Sequence, residues 1–459
     1  MKKRKLLPES ARCNATFQQN AAYSATLKRM VDCKTVWTKN QENADEYRRF
    51  YQVIAESFPT LHAKAERLTF GDGCFFYLIR GENAEKNILL MSHHDVVDGG
   101  EGWDSNPFDA VEKDGYLWGR GTIDTKTPLF AELQAAEELL ASGYSFPGIN
   151  LYIGSSHNEE VGGDGMVLAV EHFRKQGIRF DMVVDEGGAI TAGMIPGFAG
   201  KSAMVAVHEK SRHHFRCTAT QNDSGHTGLS PSDDSVVARI TSFVAHVNRA
   251  KIYRGAFHPE VRATFTSHAP YMKFPLNILF GNLTLFSPII QKIMLGIPQT
   301  KAMLSTACTF TSVFAGDPEQ PTFRAKSAQV NLSLRCVRED DLYEGLEKIR
   351  KIGSQYGVTV EEVERDYCRP TDFRCRQYQL LESVLHETFP DVVVAPFLLT
   401  AGTDARRFSD IADAILRFAP IDLNKAQFAS IHSKNEHIAI ENIGQCVLFY
   451  QTLIRRISE

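Results

Sequence analysis

The sequence predicts an α/β fold: a domain with a mixed, largely parallel sheet, built from both ends of the chain, with a smaller α+β unit inserted in its middle. Three observations predict it. From about residue 88, short apolar runs alternate with amphipathic stretches of helical length. Near residue 200 the rhythm changes to strand patterns separated by longer helices, and from about Thr371 the first rhythm returns and runs to the end. The expected partition is residues 1–204 and 369–459 for the first domain and 205–368 for the inserted one.

Asn87–Met91 (NILLM) reads as a buried strand and Pro128–Ser142 as an amphipathic helix. Ile149–Ile153 is a second strand, Gly165–Gln176 a helix and Phe180–Val184 a third strand. Alternation of this kind makes successive strands parallel and puts the chemistry at their carboxyl ends. In the middle, Met204–Val207 and His214–Thr220 read as strands, Asp234–Val247 as a helix, and Thr309–Phe314 and Ala328–Cys336 as strands. A helix over Asp340–Tyr356 and a strand over Val358–Glu364 complete an order that resembles a split β-α-β unit. The apolar segment Pro270–Met303 interrupts it, with more apolar positions than one buried helix face requires. That surplus fits the core of the inserted domain, a dimer contact, or a groove for a greasy acyl chain with Met294 and Met303 as adaptable walls.

At 459 residues the chain has room for up to about three domains and a large core. Its 51 Lys and Arg against 55 Asp and Glu leave a net charge of −4, which excludes the basic footprint of a general nucleic-acid binder. Nine cysteines, an odd number without a C-x-x-C pair, argue against a disulfide framework or a cysteine-ligated zinc site, so reduced thiols are expected. The start MKKRKLLPESARC is basic like a signal peptide, but Pro8, Glu9 and Arg12 interrupt the apolar stretch that must follow. No apolar run reaches the ~18 residues needed to span a bilayer. The expected location is cytoplasmic.

Candidate metal ligands follow the predicted strands. Ser92-His93-His94-Asp95 offers a His whose ring an Asp two residues on can orient, although taken alone it reads as a polar loop. Gly119-Arg120-Gly121-Thr122-Ile123-Asp124 brings a carboxylate into a tight turn, and taken alone reads as a hairpin. Asn158-Glu159-Glu160-Val161-Gly162-Gly163 places two acids beside an apolar strand, where they repel unless a cation lies near. One acid can bind that cation while its neighbour takes a proton from water; a solvated acidic turn is the competing reading. Asp185-Glu186-Gly187-Gly188 repeats the pattern, and Ile431-His432-Ser433-Lys434-Asn435-Glu436 supplies a second His. Carboxylates mixed with imidazoles suit zinc, manganese or cobalt, and one shared carboxylate would make a two-metal site.

These five motifs, in this order over roughly residues 45–455, resemble the dinuclear zinc peptidase family of aminoacylase, carboxypeptidase S and glutamate carboxypeptidase. Trp103–Phe108 (WDSNPF) and the apolar Pro270–Met303 segment are most similar to the carboxypeptidase S type, which includes Gly-X carboxypeptidases and N-fatty-acyl-amino-acid hydrolases. The resemblance implies a zinc-exopeptidase-like catalytic domain and an inserted lid and dimerisation domain. It implies two divalent ions per subunit, zinc first, with manganese or cobalt as alternatives. His93 and His432 are then the ligands of separate ions, Asp124 the bridging carboxylate before a cis peptide bond, and Glu160 the partner of His432. Glu159 is the general base, Asp95 orients His93, and Asp185 or Glu186 supplies the last ligand. Ser224-Gly225-His226-Thr227 resembles the motif whose His reaches a neighbouring active site to stabilise the oxyanion, and Gly402-Thr403-Asp404-Ala405-Arg406 the turn whose Arg holds the substrate carboxylate.

Two departures stand out. Ala315–Pro321 contains no Asn where the family has one for substrate contact, and Glu209-Lys210-Ser211 replaces Glu-Lys-Gly. The resulting expectation is a metal-dependent hydrolase of peptides or N-acyl amino acids bearing a free carboxylate, with a homodimer as one assembly. The alternatives are a short-chain aminoacylase or dipeptidase without an acyl groove, and a non-catalytic binding protein of the same fold. A cysteine hydrolase is disfavoured because no Cys lies in the matched motifs.

Overall fold

The structure is a computed structural model that describes residues 5–222, 227, 234–317, 319 and 322–459. Among these residues, ten strands form one sheet. From one edge the order is Glu66–Phe70, Cys74–Ile79, Ile149–Ser155, Lys86–Met91, Met182–Asp185, Ile415–Arg417, Lys201–Glu209, Ile190–Ala192 and Asp422–Leu423, with Val392–Leu399 also paired to Lys201–Glu209. The central strands from Ile149–Ser155 to Ile415–Arg417 run parallel, and the leading hairpin is antiparallel. Strands covered on both faces read as continuous apolar runs, and Lys86–Met91 shows why. Ile88 and Leu90 enter a core with Leu129, Phe130 and Phe449 of helices Lys126–Ala141 and Ile440–Ser458. Leu89 and Met91 enter the opposite core with Met166 and Phe173 of helix Gly165–Lys175.

A second, four-stranded antiparallel sheet runs Ala307–Ala315, Ser327–Cys336, Ser211–Thr220, Val358–Asp366. Helices Val236–Ala250 and Glu339–Gln355 close a separate core over it, with Phe215, Phe243, Leu332 and Ile349 at its centre. The chain crosses between the sheets at Lys210, so the boundary expected at residue 204 falls inside the strand Lys201–Glu209 of the large sheet. On the way back the Cys368 amide donates to Ser211 Oγ (3.1 Å), which ties the two crossings together.

The apolar segment lies elsewhere than its place in the sequence suggests. It forms the short helices Leu276–Gly281, Leu283–Met294 and Pro298–Leu304, preceded by Pro259–His268, and their core includes Phe198, Met204, Val393, Ala395 and Leu398 of the large-sheet region. Thr264 Oγ1 donates to the Pro396 carbonyl (2.6 Å) and His268 Nε2 is 2.8 Å from Ser202 Oγ, so these helices cover the large sheet. A small third sheet joins Val111–Lys113, Tyr116–Trp118 and His437–Ala439. It brings the loop before Asp124 beside the segment that carries His432.

Candidate metal centre

Three parallel neighbours, Ile149–Ser155, Lys86–Met91 and Met182–Asp185, end side by side. Their carboxyl ends deliver Glu159-Glu160, His93 and Asp185-Glu186 to one place. Asp124 arrives on the loop between Tyr116–Trp118 and helix Lys126–Ala141, and its peptide bond to Thr125 is cis. The glycine-rich turn is therefore a strand-to-helix connection, not the hairpin it resembles in isolation.

Asp124 lies between two imidazoles. Its Oδ1 is 3.1 Å from His93 Nε2 and its Oδ2 is 2.9 Å from His432 Nε2. His432 Nε2 is also 3.1 Å from the Glu160 carboxylate. His93, Asp124 and Glu160 each offer a ligand atom, all within 4.8 Å of one another. Two ligand atoms on one tetrahedral ion with bonds of ~2.0–2.1 Å lie about 3.3 Å apart, so these separations suit chelation. Because each Asp124 oxygen faces a different His, one carboxylate can serve two cations.

The surrounding charge asks for a cation as well. Asp95, Asp124, Glu159, Glu160, Asp185, Glu186 and Asp404 crowd the strand ends, with His93, His432 and Arg406 as the cationic partners at hand. Burial, Asp124 and Asp185 push the Glu186 carboxyl well above the usual range; burial, Asp404, Asp95 and Glu160 do so for Glu159, against the pull of His93. Burial opposes a charged His93, yet its contacts with Asp124 and Asp95 raise it well above the usual value. The carboxylates of Asp124 and Glu160 raise His432 to about 10. A metal ligand must be deprotonated, so a cation bound here would release protons from these imidazoles.

Asp95 organises both sides of the site. Its Oδ1 is 3.4 Å from His93 Nδ1, and its two oxygens accept the amides of Glu159 (3.1 Å) and Glu160 (3.0 Å). His93 Nδ1 is 2.9 Å from the Asp95 carbonyl; donation there leaves Nε2 aimed at Asp124. The structure separates the two acids of the third strand. Asp185 Oδ1 accepts the Glu186 amide (2.8 Å) and Oδ2 the Ala405 amide (2.9 Å), with burial and Asp404 lifting its carboxyl to about 7. For Glu186, after burial, Asp124 is the charge that raises its carboxyl most.

Arg406 is buried with its Nε 2.8 Å from Asp366 and Nη1 3.7 Å from Glu209, so internal acids already face it. His226 lies outside the described residues, as does part of the Ala315–Pro321 segment that lacks the Asn. Sequence reasoning gave no role to Glu436, which is fully buried and accepts from Arg120 Nη1 (2.8 Å) and from the amides of Gly121 (3.1 Å), Ile123 (2.7 Å) and Asp124 (3.1 Å). It clamps the Asp124 loop to the His432 segment; four residues of separation from His432 was the only signal. Arg335 was also missed. It is half-buried, directly opposite Arg212 across the strand pair, within the fields of Arg406, Asp366 and Glu209, and its side chain makes no hydrogen bond or ion pair among the described residues.

Peptidase family M20/M25/M40 matches residues 89–456. The chain is 30% identical over 443 residues to the N-fatty-acyl-amino acid synthase/hydrolase PM20D1 of Xenopus tropicalis, covering 94% of this chain and 84% of that protein. It is 27% identical over 444 residues to the probable carboxypeptidase S-like 2 of Dictyostelium discoideum, with the same two coverages, 94% and 84%. Among solved structures, the M20 family metallo-carboxypeptidase Sso-CP2 of Sulfolobus solfataricus shares the fold with a TM-score of 0.64 at 15% identity, over 95% of this chain and 99% of that one. With a cluster of metal-ligand type at the carboxyl ends of its parallel strands, this chain belongs to peptidase family M20/M25/M40, a family of metal-dependent amide hydrolases.

Proposed function

We propose that the chain hydrolyses the amide bond of peptides or N-acyl amino acids that carry a free carboxylate, with two zinc ions per subunit. The observation that carries this reading is Asp124, whose two oxygens face His93 and His432, beside a turn that holds Glu159 and Glu160 on the Asp95 carboxylate. His93 and His432 would hold separate ions, with Asp124 shared and Glu160 beside His432. Asp185 or Glu186 would supply the remaining ligand; one backbone amide on each Asp185 oxygen leaves each a second acceptor site. When bound, such ions lower the pKa of water towards neutrality and polarise a carbonyl. Glu159 accepts the proton of the attacking water and returns it to the leaving nitrogen; burial raises its carboxyl above the ordinary range. A donor to the oxyanion contributes on the order of 3 kcal/mol in such reactions, and His226 is proposed for that role.

The substrate carboxylate would meet the arginines at the junction of the sheets, Arg406 and Arg335. Arg335 feels Arg212 and Arg406 on one side of the balance and Asp366 and Glu209 on the other, and its side chain has no direct partner among the described residues, which supports a role in receiving an anion. Within residues 205–368, the four-stranded sheet and the two helices that close its core are proposed as a lid joined to the large sheet at Lys210, and a homodimer as the assembly. The edge strand Ala307–Ala315, with Val313 and Phe314 60% and 58% exposed, supports edge-to-edge pairing. A reducing, cytoplasmic setting is proposed because all nine cysteines are free. Among the described residues, no helix is long and apolar enough to cross a membrane. The test is a hydrolysis panel of dipeptides and N-acyl amino acids from acetyl to dodecanoyl on zinc-loaded protein. Chelator-sensitive turnover of carboxylate-bearing substrates supports the reading, and no turnover of any member with zinc, manganese or cobalt overturns it.

A further inference from the structure

The helix Leu283–Met294 carries apolar side chains on two faces. Leu283, Ile290 and Met294 point inward and are 2–5% exposed. Leu285, Ile289 and Ile293, four residues apart, are 74%, 63% and 61% exposed. At about 100° per residue these three fall within an arc of about 80°, centred about 120° around the helix from the buried set. Isolated apolar residues are ordinary on a protein surface, but a stripe along one helix is not. Phe274 before the helix is 78% exposed and Ile297 after it 45%.

The charge around this stripe is one-sided. Residues 261–316 contain no Asp or Glu, while Arg262, Lys273, Lys292 and Lys301 give the stretch +4 and leave −8 to the rest of the chain. Lys292 is exposed and lies on the same side as the stripe, three residues from Ile289. A second copy meeting this face by two-fold symmetry would set cations against cations with no acid in the stretch to pair them. A surface that is apolar, cationic and free of acids instead complements anionic headgroups over a hydrocarbon layer. Leu6 of the N-terminal segment packs against the core of these helices, with Leu7 46% exposed and Lys5 preceding them.

We infer that this face docks the protein onto an anionic lipid bilayer. Leu285, Ile289 and Ile293 enter the headgroup boundary, and Lys273 and Lys292 meet the anionic headgroups. The same unit is wired to the interior: the Ser305 carbonyl accepts Lys210 Nζ (2.7 Å), next to Glu209, whose Oε2 accepts the Thr403 amide (3.0 Å).

The test is flotation of the full chain with phosphatidylcholine vesicles, with and without phosphatidylserine. Binding is expected with the serine lipid and weak without it. The triple variant Leu285→Ser, Ile289→Ser, Ile293→Ser and the double variant Lys273→Glu, Lys292→Glu should each weaken binding by about tenfold or more. Turnover of a water-soluble short N-acyl amino acid or dipeptide reports folding and should not change. No binding of the parent protein, or binding that both variants retain, overturns the proposal. A dimer that the triple variant abolishes, with no vesicle binding, assigns the face to a second copy and overturns it too. Because the readout is binding, an inactive protein that still floats would contradict the proposed catalysis without touching this inference.

Discussion

Replacing Glu436 by Gln isolates the clamp that positions Asp124. Burial pushes this carboxyl up, while Arg120 and the amides of Ile123 and Asp124 pull it back. Four donors and no acceptor surround it, which requires the ionised form. Oε1 takes the amides of Ile123 and Asp124; Oε2 takes Arg120 and the amide of Gly121. Whichever oxygen becomes NH2, two donors lose their acceptor. If it is Oε2, the Arg120 guanidinium, 2% exposed and stacked over Trp103 at 5.2 Å, is left without its anion, a loss of about 3–5 kcal/mol. If it is Oε1, two charge-assisted bonds at about 1.5–3 kcal/mol each give a similar total. Urea unfolding of metal-free protein should therefore show a loss of about 3–5 kcal/mol. Competition with a chelator should show metal affinity lower by about 10–100-fold, as for groups that orient a ligand. A loss below about 1 kcal/mol with unchanged metal affinity would refute the clamp.

His268 sets a pH dependence away from the metal site. Buried between Ser202 Oγ and the Thr264 carbonyl, it has its pKa lowered by burial to about 4, from 6.5. The unfolded chain then binds more protons between pH 6.5 and 4, so this group's stabilising share is intact above 6.5 and is lost as pH falls towards 4. The total is about 3 kcal/mol, seen as the difference in unfolding free energy between the parent and His268→Gln across that range, and a flat difference would exclude it. Lys210, buried against the Ser305 carbonyl, titrates at about 8, lowered by burial. Its depressed value means that the parent gains about 3 kcal/mol on Lys210→Met from pH 8 to 10.5, and paired denaturation curves with no such slope would contradict it. Arg335→Ala should lower kcat/KM about 10–100-fold for substrates with a free carboxylate and leave amidated analogues unaffected; equal losses on both would place Arg335 outside substrate recognition.

Local pattern carried most of the site. His93, Glu160 and Asp185 each follow an apolar run, and a parallel sheet lines up the ends of such runs, so chain order alone predicts their meeting. Asp124 and His432 are less local. Their meeting depends on the small sheet that pairs Tyr116–Trp118 with His437–Ala439, three residues each, too short to announce themselves by periodicity. Arg335 sits on a strand whose neighbour across the ladder is another Arg, and a register between distant segments is not written in either one. The helices of residues 259–304 show the same limit from the other side. Their apolar excess is plain in sequence, but the partner they cover, Val392–Leu399, lies more than 80 residues further on, so the segment read as part of the inserted domain.

In the proposed reaction Glu159 moves the proton beside a two-cation site. Glu159→Gln leaves His93, Asp124, Glu160, Asp185, Glu186 and His432 in place and removes only the acceptor. Turnover and metal content of the same purified variant should be measured together, by substrate hydrolysis and elemental analysis. Two zinc ions per chain with turnover down by at least about 10²-fold is the predicted result. Near-normal turnover in the metal-replete variant would contradict it.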